Sequence, residues 1–477
     1  MSVHEKFRAV FVGPADLLVR GASAVTMNDT GAVIDDAAIA VQGTRIAWVG
    51  PRAEWDAMGI SAKSTLDGRG RIALPGMIDA HFHTGQQLLR GKLSQMGRTR
   101  SLRNPPWKNY YIPFESLLTP EDVHLSGLVA YTNMLMVGTT CFAEAGGPYP
   151  DEMARAALEV GVRGFVALST TDQNPDFAGA PVPGSMMMDT DQALERNIAL
   201  VRRWSEQDRV RATLSLRQII VCSPELIRAI GQAAQEYGVK IHTHLAEGTY
   251  EVDYALERFG KRPAEYLQDL GVLSHHLHCA HSVILSPDEV DLYARYQVSA
   301  CHCALGNFGI GRPRLQEMWR RGIAIGMGSD GAAGGTIDLF RIAHAARVGM
   351  QAAYGHQYHS RQPMSGEELL RIVTRGGARA LGMDAEIGSL EVGKRADLIL
   401  VDETDPDQFG AKDALYTAGN TVVGRDVRSV VVNGQIVLKE RELQLVDRDE
   451  IQARLARRLP EIMARFEAAT PTDIPAS

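Results

Sequence analysis

Two histidines separated by one residue, His81 and His83, end an apolar run near the start of the chain. Side chains alternate between the two faces of a β-strand, so a strand here would point both imidazoles the same way. Neutral imidazole is a common ligand for zinc and related divalent metals. A pair of ordinary hydrogen-bonded histidines has the same spacing, so a metal site is indicated only if other parts of the chain supply further ligands.

Three other apolar runs also end in residue types that bind metals or transfer protons. Their endings are His242-Thr-His244-Leu-Ala-Glu247, His278-Cys-Ala-His281 and Gly328-Ser-Asp330. In a parallel α/β barrel the functional groups lie at the carboxyl ends of the strands. The sequence therefore predicts that these side chains meet at one end of such a barrel.

One catalytic metal ion takes three or four protein ligands and keeps an open position for water. We expect the ligands to be His81, His83, His244 and Asp330. His242 competes with His244, because both would lie on one face of the same strand. His244 is preferred because it is nearer the strand end and because it alone forms the pattern His-x-x-Glu.

The remaining polar residues at these strand ends suit proton transfer and orientation of the reactants. A bound metal lowers the pKa of its water towards neutrality. Glu247, three residues after His244, is expected to act as general acid and base. His281 is expected to polarise the attacked carbon or orient the water, being too far along the barrel wall for a fifth ligand. Asp330 is expected to accept a proton as well as bind the metal.

The elements that must position these residues alternate between strand-like and helix-like segments from residue 77 to residue 381. Eight short apolar runs, each followed by a helical pattern or a long loop, predict a (β/α)8 TIM barrel. The helical patterns are Glu121 to Met136, Asp151 to Glu159, Asp191 to Trp204, Pro224 to Tyr237, Pro287 to Tyr296 and Leu315 to Arg321.

Both ends of the chain are rich in short strand patterns, and Asn433-Gly434 between two β-branched runs is a strong hairpin signal. We expect residues 1–75 and 385–446 to form one composite β-sandwich module. Residues 76–384 are expected to form the α/β barrel domain. Residues 447–477 are expected to contribute a closing amphipathic helix and a tail.

The composition excludes several other classes of partner. The 477 residues carry a net charge of −7, which gives no basic surface for nucleic acid. No apolar run approaches the roughly 20 residues of a membrane span, and no secretory signal is visible. Five scattered cysteines suit a reducing cytoplasm. They lack the Pro-Cys-x-x-Cys pair that zinc-dependent base deaminases of the His-x-Glu type carry, so that class is excluded. A small-molecule substrate is therefore expected.

Taken together, the motifs resemble the amidohydrolase superfamily. The resemblance is strongest to its branch of aminohydrolases and triazine hydrolases, which includes deaminases of S-adenosylhomocysteine and guanine and atrazine chlorohydrolase. It rests on Leu74-Pro-Gly-Met-Ile-Asp-Ala-His-Phe-His83, His244-Leu-Ala-Glu247, Gly328-Ser-Asp-Gly331 and the run 387–400. It implies one zinc or iron ion on His81, His83, His244 and Asp330, with Glu247 and His281 catalytic, in a homo-oligomer. Residues 214–222 contain no lysine that could bridge two metals, so a mononuclear site is expected.

The activity expected from this resemblance is hydrolytic deamination of an N-heterocycle. Hydrolysis of a carbamate, urea or amide C–N bond, or of a C–Cl bond, at the same site is the alternative, and an inactive metal-binding scaffold is the third possibility. Arg217 stands where nucleoside deaminases carry a Pro-His pair, which argues against an adenosine-type substrate. It suits a substrate carboxylate or ring carbonyl, or a structural ion pair. The candidate substrate contacts are Gln86, Trp107, Glu144, Arg217 and Asn307.

Overall fold

Eight parallel strands form a barrel in the computed structural model, which describes residues 13–177, 181–331, 335–408 and 413–470. The last strand pairs with the first through Met327 and Asp79, and the interrupted fourth strand pairs with the third and the fifth. This confirms the predicted (β/α)8 barrel. The strands are Met77–Phe82, Thr139–Glu144, Arg163–Val166, Val210–Ala212 with Leu214–Leu216, Ile241–Leu245, Leu277–His281, Ser299–His302 and Ile325–Met327.

Helices surround the barrel, and local sequence signals explain where several of them begin and end. The helix Pro224–Tyr237 starts after Ser223, whose side chain accepts a hydrogen bond from the backbone N–H of Leu226. It ends at Gly238, which has a φ of +64°. The other helices that cover the barrel are Pro120–Met136, Pro150–Val160, Thr190–Trp204, Thr249–Phe259, Pro263–Asp269, Pro287–Tyr296, Ala304–Ile310, Leu315–Arg320, Leu339–Tyr354, Gly366–Arg371 and Gly377–Ala380.

Both ends of the chain build the β-sandwich module, which lies near the amino ends of the barrel strands. Its nine strands are joined by hydrogen bonds into one continuous mixed sheet. Arg71–Pro75 pairs antiparallel with Leu398–Asp402, which joins the two ends of the chain. The predicted hairpin is present, with Asn433 at φ +53° and Gly434 at φ +79°. The strands are Ala15–Val25, Val33–Gln42, Arg45–Pro51, Ala62–Asp67, Arg71–Pro75, Leu398–Asp402, Val427–Val432, Gln435–Lys439 and Glu442–Leu443. The precise domain limits given above stay predictions.

Two ion-pair clusters fix the module and the C-terminal helix to the barrel. Arg163 on the third barrel strand donates to both carboxylate oxygens of Asp397, at 2.6 and 3.1 Å, and both side chains are buried. The helix Arg448–Ala469 reaches back to Asp122 through Arg458. Among the described helices, none combines the length and apolar character needed to cross a membrane.

Candidate active site

Four side chains from the ends of the first, fifth and eighth strands direct their ligand atoms towards one point. His83 Nε2 lies 3.1 Å from His244 Nε2 and 3.7 Å from Asp330 Oδ1, and His81 Nε2 lies 3.5 Å from that same oxygen. Ligands about 2.0–2.1 Å from a shared zinc ion in a tetrahedral arrangement would lie about 3.3 Å apart. The three measured separations bracket this value, so the cluster fits one divalent ion.

The outer ring nitrogens of the histidines fix which atoms face this point. His244 Nδ1 donates to the backbone oxygen of Arg217 at 2.7 Å, which leaves Nε2 free to bind a metal. His81 Nδ1 lies 2.9 Å from His242 Nε2, while His81 Nε2 is buried and makes no hydrogen bond within the described residues. A buried nitrogen without a partner is costly unless something binds it. His242 thus supports His81, and His244 is the residue at the cluster.

The three imidazoles are held in the neutral form that a metal requires. Burial lowers the pKa of His81 to about 4 and holds the pKa values of His83 and His244 well below their usual range. Burial alone would raise the pKa of Asp330, but His81, His281 and His83 beside it keep that pKa well below its ordinary value. Three neutral nitrogens and one carboxylate are a donor set that zinc accepts.

His281 lies closer to the cluster than the sequence argument placed it. Its ligand atom is within 4.8 Å of those of His81 and His244, so distance alone does not separate it from the ligands. Its Nδ1 donates to Asn307 Oδ1 at 3.1 Å, and Asn307 also donates to the backbone oxygen of His281. Burial disfavours the charged ring, but Glu247, Cys303 and Asp330 outweigh it and raise the pKa of His281 well above its usual value. The hydrogen bonds to Asn307 fix the orientation of this ring, and its orienting role stays a prediction.

Backbone strain is concentrated at two of these positions. His281 and Asp330 have φ values of +67° and +64°, a region that residues with a side chain rarely adopt. His281 is the last residue of the sixth strand, and Asp330 follows the end of the eighth. The unusual backbone conformation at these two positions sets the direction of their side chains. The surrounding bonds maintain it: the N–H of Asp330 donates to His81 O at 3.0 Å, and that of Ser329 to Asp79 Oδ1 at 3.0 Å.

Glu247 is oriented by Tyr250, which the sequence analysis did not include, and through it by Trp107, which was predicted there as a substrate contact. Tyr250 Oη donates to Glu247 Oε2 at 2.6 Å, and Trp107 Nε1 in turn donates to Tyr250 Oη at 3.0 Å. Gln218 Nε2 lies 3.4 Å from the same carboxylate oxygen. Oε1 of Glu247 accepts no hydrogen bond from the described residues, so it is the oxygen available to a reacting group. The i, i+3 spacing of Glu247 and Tyr250 at a helix start was the signal for this pair.

Three residues of the cluster line one cavity of about 400 Å³ at the carboxyl ends of the barrel strands, together with Glu247, Tyr250 and His281; these three are His83, His244 and Asp330. This volume is in the range typical of small-molecule sites. Of the predicted substrate contacts, Gln86, Trp107, Arg217 and Asn307 line the cavity. Glu144 is not among its lining residues; it is buried 3.9 Å from His83 Nδ1 and accepts a hydrogen bond from the N–H of Thr84. The proposed site assignments stay predictions, but the structure brings most of them together.

Arg217 forms a structural ion pair, one of the alternatives that the sequence left open, with a partner that the sequence analysis did not identify. Its Nη1 lies 3.0 Å from Glu115 Oε2, and both side chains are almost completely buried. Gln86 donates to the other oxygen of Glu115 at 2.8 Å. Burial raises the pKa of Glu115, and the guanidinium of Arg217 opposes that rise. A glutamate within the apolar segment 112–118 was the only signal for this partner.

A barrel with three histidines and an aspartate converging at its strand ends defines a metal-dependent hydrolase. The chain belongs to the amidohydrolase family, whose sequence profile matches residues 72–437. It is 30% identical over 451 residues to the 5-methylthioadenosine/S-adenosylhomocysteine deaminase of Symbiobacterium thermophilum, a match covering 92% of this chain and 97% of that one.

Solved structures show the same similarity. An adenosine deaminase from Xanthomonas campestris with bound zinc matches with a TM-score of 0.85 and 25% identity, covering 96% of this chain and 99% of that one. Atrazine chlorohydrolase from Arthrobacter aurescens complexed with zinc matches with a TM-score of 0.77 and 25% identity, covering 95% of this chain and all of that one. The fold therefore hosts deaminases and a chlorohydrolase alike.

Replacing Tyr250 with phenylalanine tests the orientation of Glu247. The substitution removes the 2.6 Å hydrogen bond to the carboxylate and keeps the ring. A hydrogen bond to a charged group contributes about 1.5–3 kcal/mol, so we expect kcat to fall about tenfold or more with little change in KM. Steady-state kinetics and metal analysis on the purified variant measure this. Tyr254→Phe in the same helix is the control, and an equal loss in both variants would contradict the orienting role.

Proposed function

We propose that this protein is a hydrolytic deaminase that uses one bound divalent ion to replace an amino group of an N-heterocyclic small molecule by oxygen. The observation that carries the proposal is the convergence of His81, His83, His244 and Asp330 next to a cavity. The last three of these residues and Glu247 line that cavity. Such a site holds a metal-activated water next to a side chain that can carry protons.

The ion supplies Lewis acidity, which lowers the pKa of a bound water into the neutral range. Glu247 Oε1 accepts a proton during the addition of this water to the electron-poor ring carbon and delivers one to the departing amine. Protonated His281, held by Asn307, donates a hydrogen bond from Nε2 to the oxygen that adds. Asp330 Oδ2 accepts the second proton of the water, and this proton is passed to the ring nitrogen beside the reacting carbon, so that both carboxylates end unprotonated. The C–N bond breaks, ammonia leaves, and the ring keeps the oxygen.

Zinc is the proposed ion. Three neutral imidazoles and one carboxylate suit it, and the structurally similar deaminase and chlorohydrolase both contain zinc. Imidazole also suits iron, so Fe²⁺ is the alternative. Elemental analysis of protein purified without added metal distinguishes the two. About one ion per chain is expected.

Ammonia release from purines, pterins, pyrimidines and triazines, with and without chelator, tests the proposed reaction. We expect the metal-loaded protein to release ammonia from at least one ring class. Because the ion activates the water, removing it with a chelator is expected to abolish turnover and re-adding zinc to restore it. Turnover that persists in fully metal-free protein would refute the metal-dependent mechanism.

Hydrolysis of a C–Cl bond, or of a carbamate, urea or amide, is the second candidate. The similarity to atrazine chlorohydrolase over 95% of this chain supports this second reaction. The same protein samples are assayed for chloride and for carboxylate. Release of chloride or carboxylate without release of ammonia would refute the deaminase proposal and support this alternative.

We also propose a cytoplasmic protein that assembles as a homo-oligomer and does not bind nucleic acid. All five cysteines are free and buried, which suits a reducing compartment. The net charge of −7 gives no electrostatic attraction to nucleic acid. Light scattering on the purified protein gives the assembly state, and a single-chain mass would contradict it.

A further inference from the structure

The inner wall of the catalytic cavity contains Arg217, whose positive charge is paired with the carboxylate of a buried glutamate. Arg217 lines the cavity, and its Nη1 is bound by Glu115 Oε2 at 3.0 Å and by the backbone oxygen of Gly146 at 3.1 Å. The side chains of the pair are 2% and 1% exposed. Gln86, also at the cavity wall, holds the second carboxylate oxygen of Glu115. Separating such a buried pair is strongly unfavourable, so Arg217 has no charge to offer a ligand.

The other charged groups that line the cavity belong to the proposed reaction centre. They are Glu247, His281 and Asp330. Within the described residues, no further lysine or arginine lines the cavity. Among the described residues, the cavity therefore has no free cation for a substrate carboxylate away from the reacting carbon.

The remaining donors and the apolar walls define what the cavity does fit. Nε and Nη2 of Arg217 have no hydrogen-bond partner in the described part of the chain, so they can donate to a neutral ring oxygen or ring nitrogen. Trp107, Tyr111 and Tyr250 supply flat aromatic walls.

From these observations we infer that Glu115 makes the site selective for neutral heteroaromatic amines and against rings that carry a carboxylate. The inference rests on the proposed deaminase function and names its substrate class. S-adenosylhomocysteine, which the names of the relatives above include, carries a carboxylate, and no described residue of the cavity offers that carboxylate a free cation. Glu115 acts through Arg217 and is therefore a specificity-determining residue without direct contact to the ring.

Matched ligand pairs with and without a carboxylate test the inference. Pterin is compared with pterin-6-carboxylate, and 5′-methylthioadenosine with S-adenosylhomocysteine, at pH 8. Each compound is measured as a substrate and by calorimetric titration of the zinc-loaded protein. We expect the neutral member of each pair to bind at least tenfold more tightly. Equal or tighter binding of the carboxylated member would overturn the inference.

Glu115→Gln gives the sharper comparison, because it removes the negative charge and leaves the guanidinium of Arg217 unmatched. We expect the preference for the neutral ligand to fall at least tenfold in this variant and to stay unchanged in the control Glu257→Gln, an exposed position. Glu115→Gln combined with Arg217→Gln removes both charges and is expected to restore the neutral preference. An unchanged ratio in a folded Glu115→Gln protein, as judged by its circular dichroism spectrum and zinc content, would overturn the role of Glu115.

Failure of the proposed function would give a different result. If the zinc-loaded protein released ammonia from no compound, the deaminase proposal would fall, while the calorimetric affinity ratios would still decide whether the cavity rejects carboxylates. If ammonia were released and the carboxylated ligands bound equally well, only the selectivity would be wrong.

Discussion

Glu247→Gln is expected to lower kcat by about 10²–10⁴-fold while the bound metal stays in place. The amide has nearly the same shape as the carboxylate, so Tyr250 can still hydrogen-bond to its oxygen, but it cannot carry a proton at Oε1. Glu247 does not belong to the ligand cluster, so the zinc content is expected to equal that of the wild type. Single-turnover ammonia release and elemental analysis on the same sample measure both quantities.

The control for this variant is Glu257→Gln, which makes the same chemical change on the exposed face of the following helix. We expect it to leave both kcat and metal content unchanged. Full activity in Glu247→Gln would remove Glu247 from proton transfer. Loss of metal in that variant would instead make it a ligand, which the geometry of the cluster does not include.

Helix ends, strand faces and tight turns could be predicted from the sequence, because interactions between residues close together in the chain determine them. The helix Pro224–Tyr237 was predicted with its observed ends, since Ser223 and Gly238 are cap signals within the chain itself. The pair His81 and His83 was recognisable because strand alternation alone places both rings on one side. The same is true of the Asn433-Gly434 hairpin, where a two-residue turn requires positive φ at both positions.

The features that could not be predicted from the sequence depend on contacts between distant parts of the barrel. Glu115 and Arg217 are 102 residues apart, and no local pattern pairs them. The interruption at Thr213 in the fourth strand leaves no signature in a run of apolar residues. His281 was placed too far from the ligands because its position along the chain was considered without the register: it pairs with Leu245, one residue after His244. Strand register is a tertiary property, and it brings these side chains together.

His244→Gln and His242→Gln decide which histidine of the fifth strand binds the metal. Both rings are buried in the barrel, and both come from the motif His-Thr-His. His244 Nε2 lies 3.1 Å from His83 Nε2 at the cluster, whereas His242 Nε2 lies 2.9 Å from the outer nitrogen of His81. We expect His244→Gln to lose both the stoichiometric metal and the activity. His242→Gln is expected to keep the metal with an affinity about 10–100-fold weaker, because it removes only support for a ligand.

The stability of the two variants gives a readout that does not depend on turnover. An ion that binds only the folded state stabilises it, so a chelator is expected to lower the melting temperature of the wild type. It should lower that of His242→Gln as well, since this variant still binds metal. His244→Gln is expected to melt at one temperature with and without chelator, because it has no ion to lose. If His242→Gln were the insensitive variant instead, the cluster would be assigned to the wrong histidine, and the metal would lie one layer deeper in the barrel.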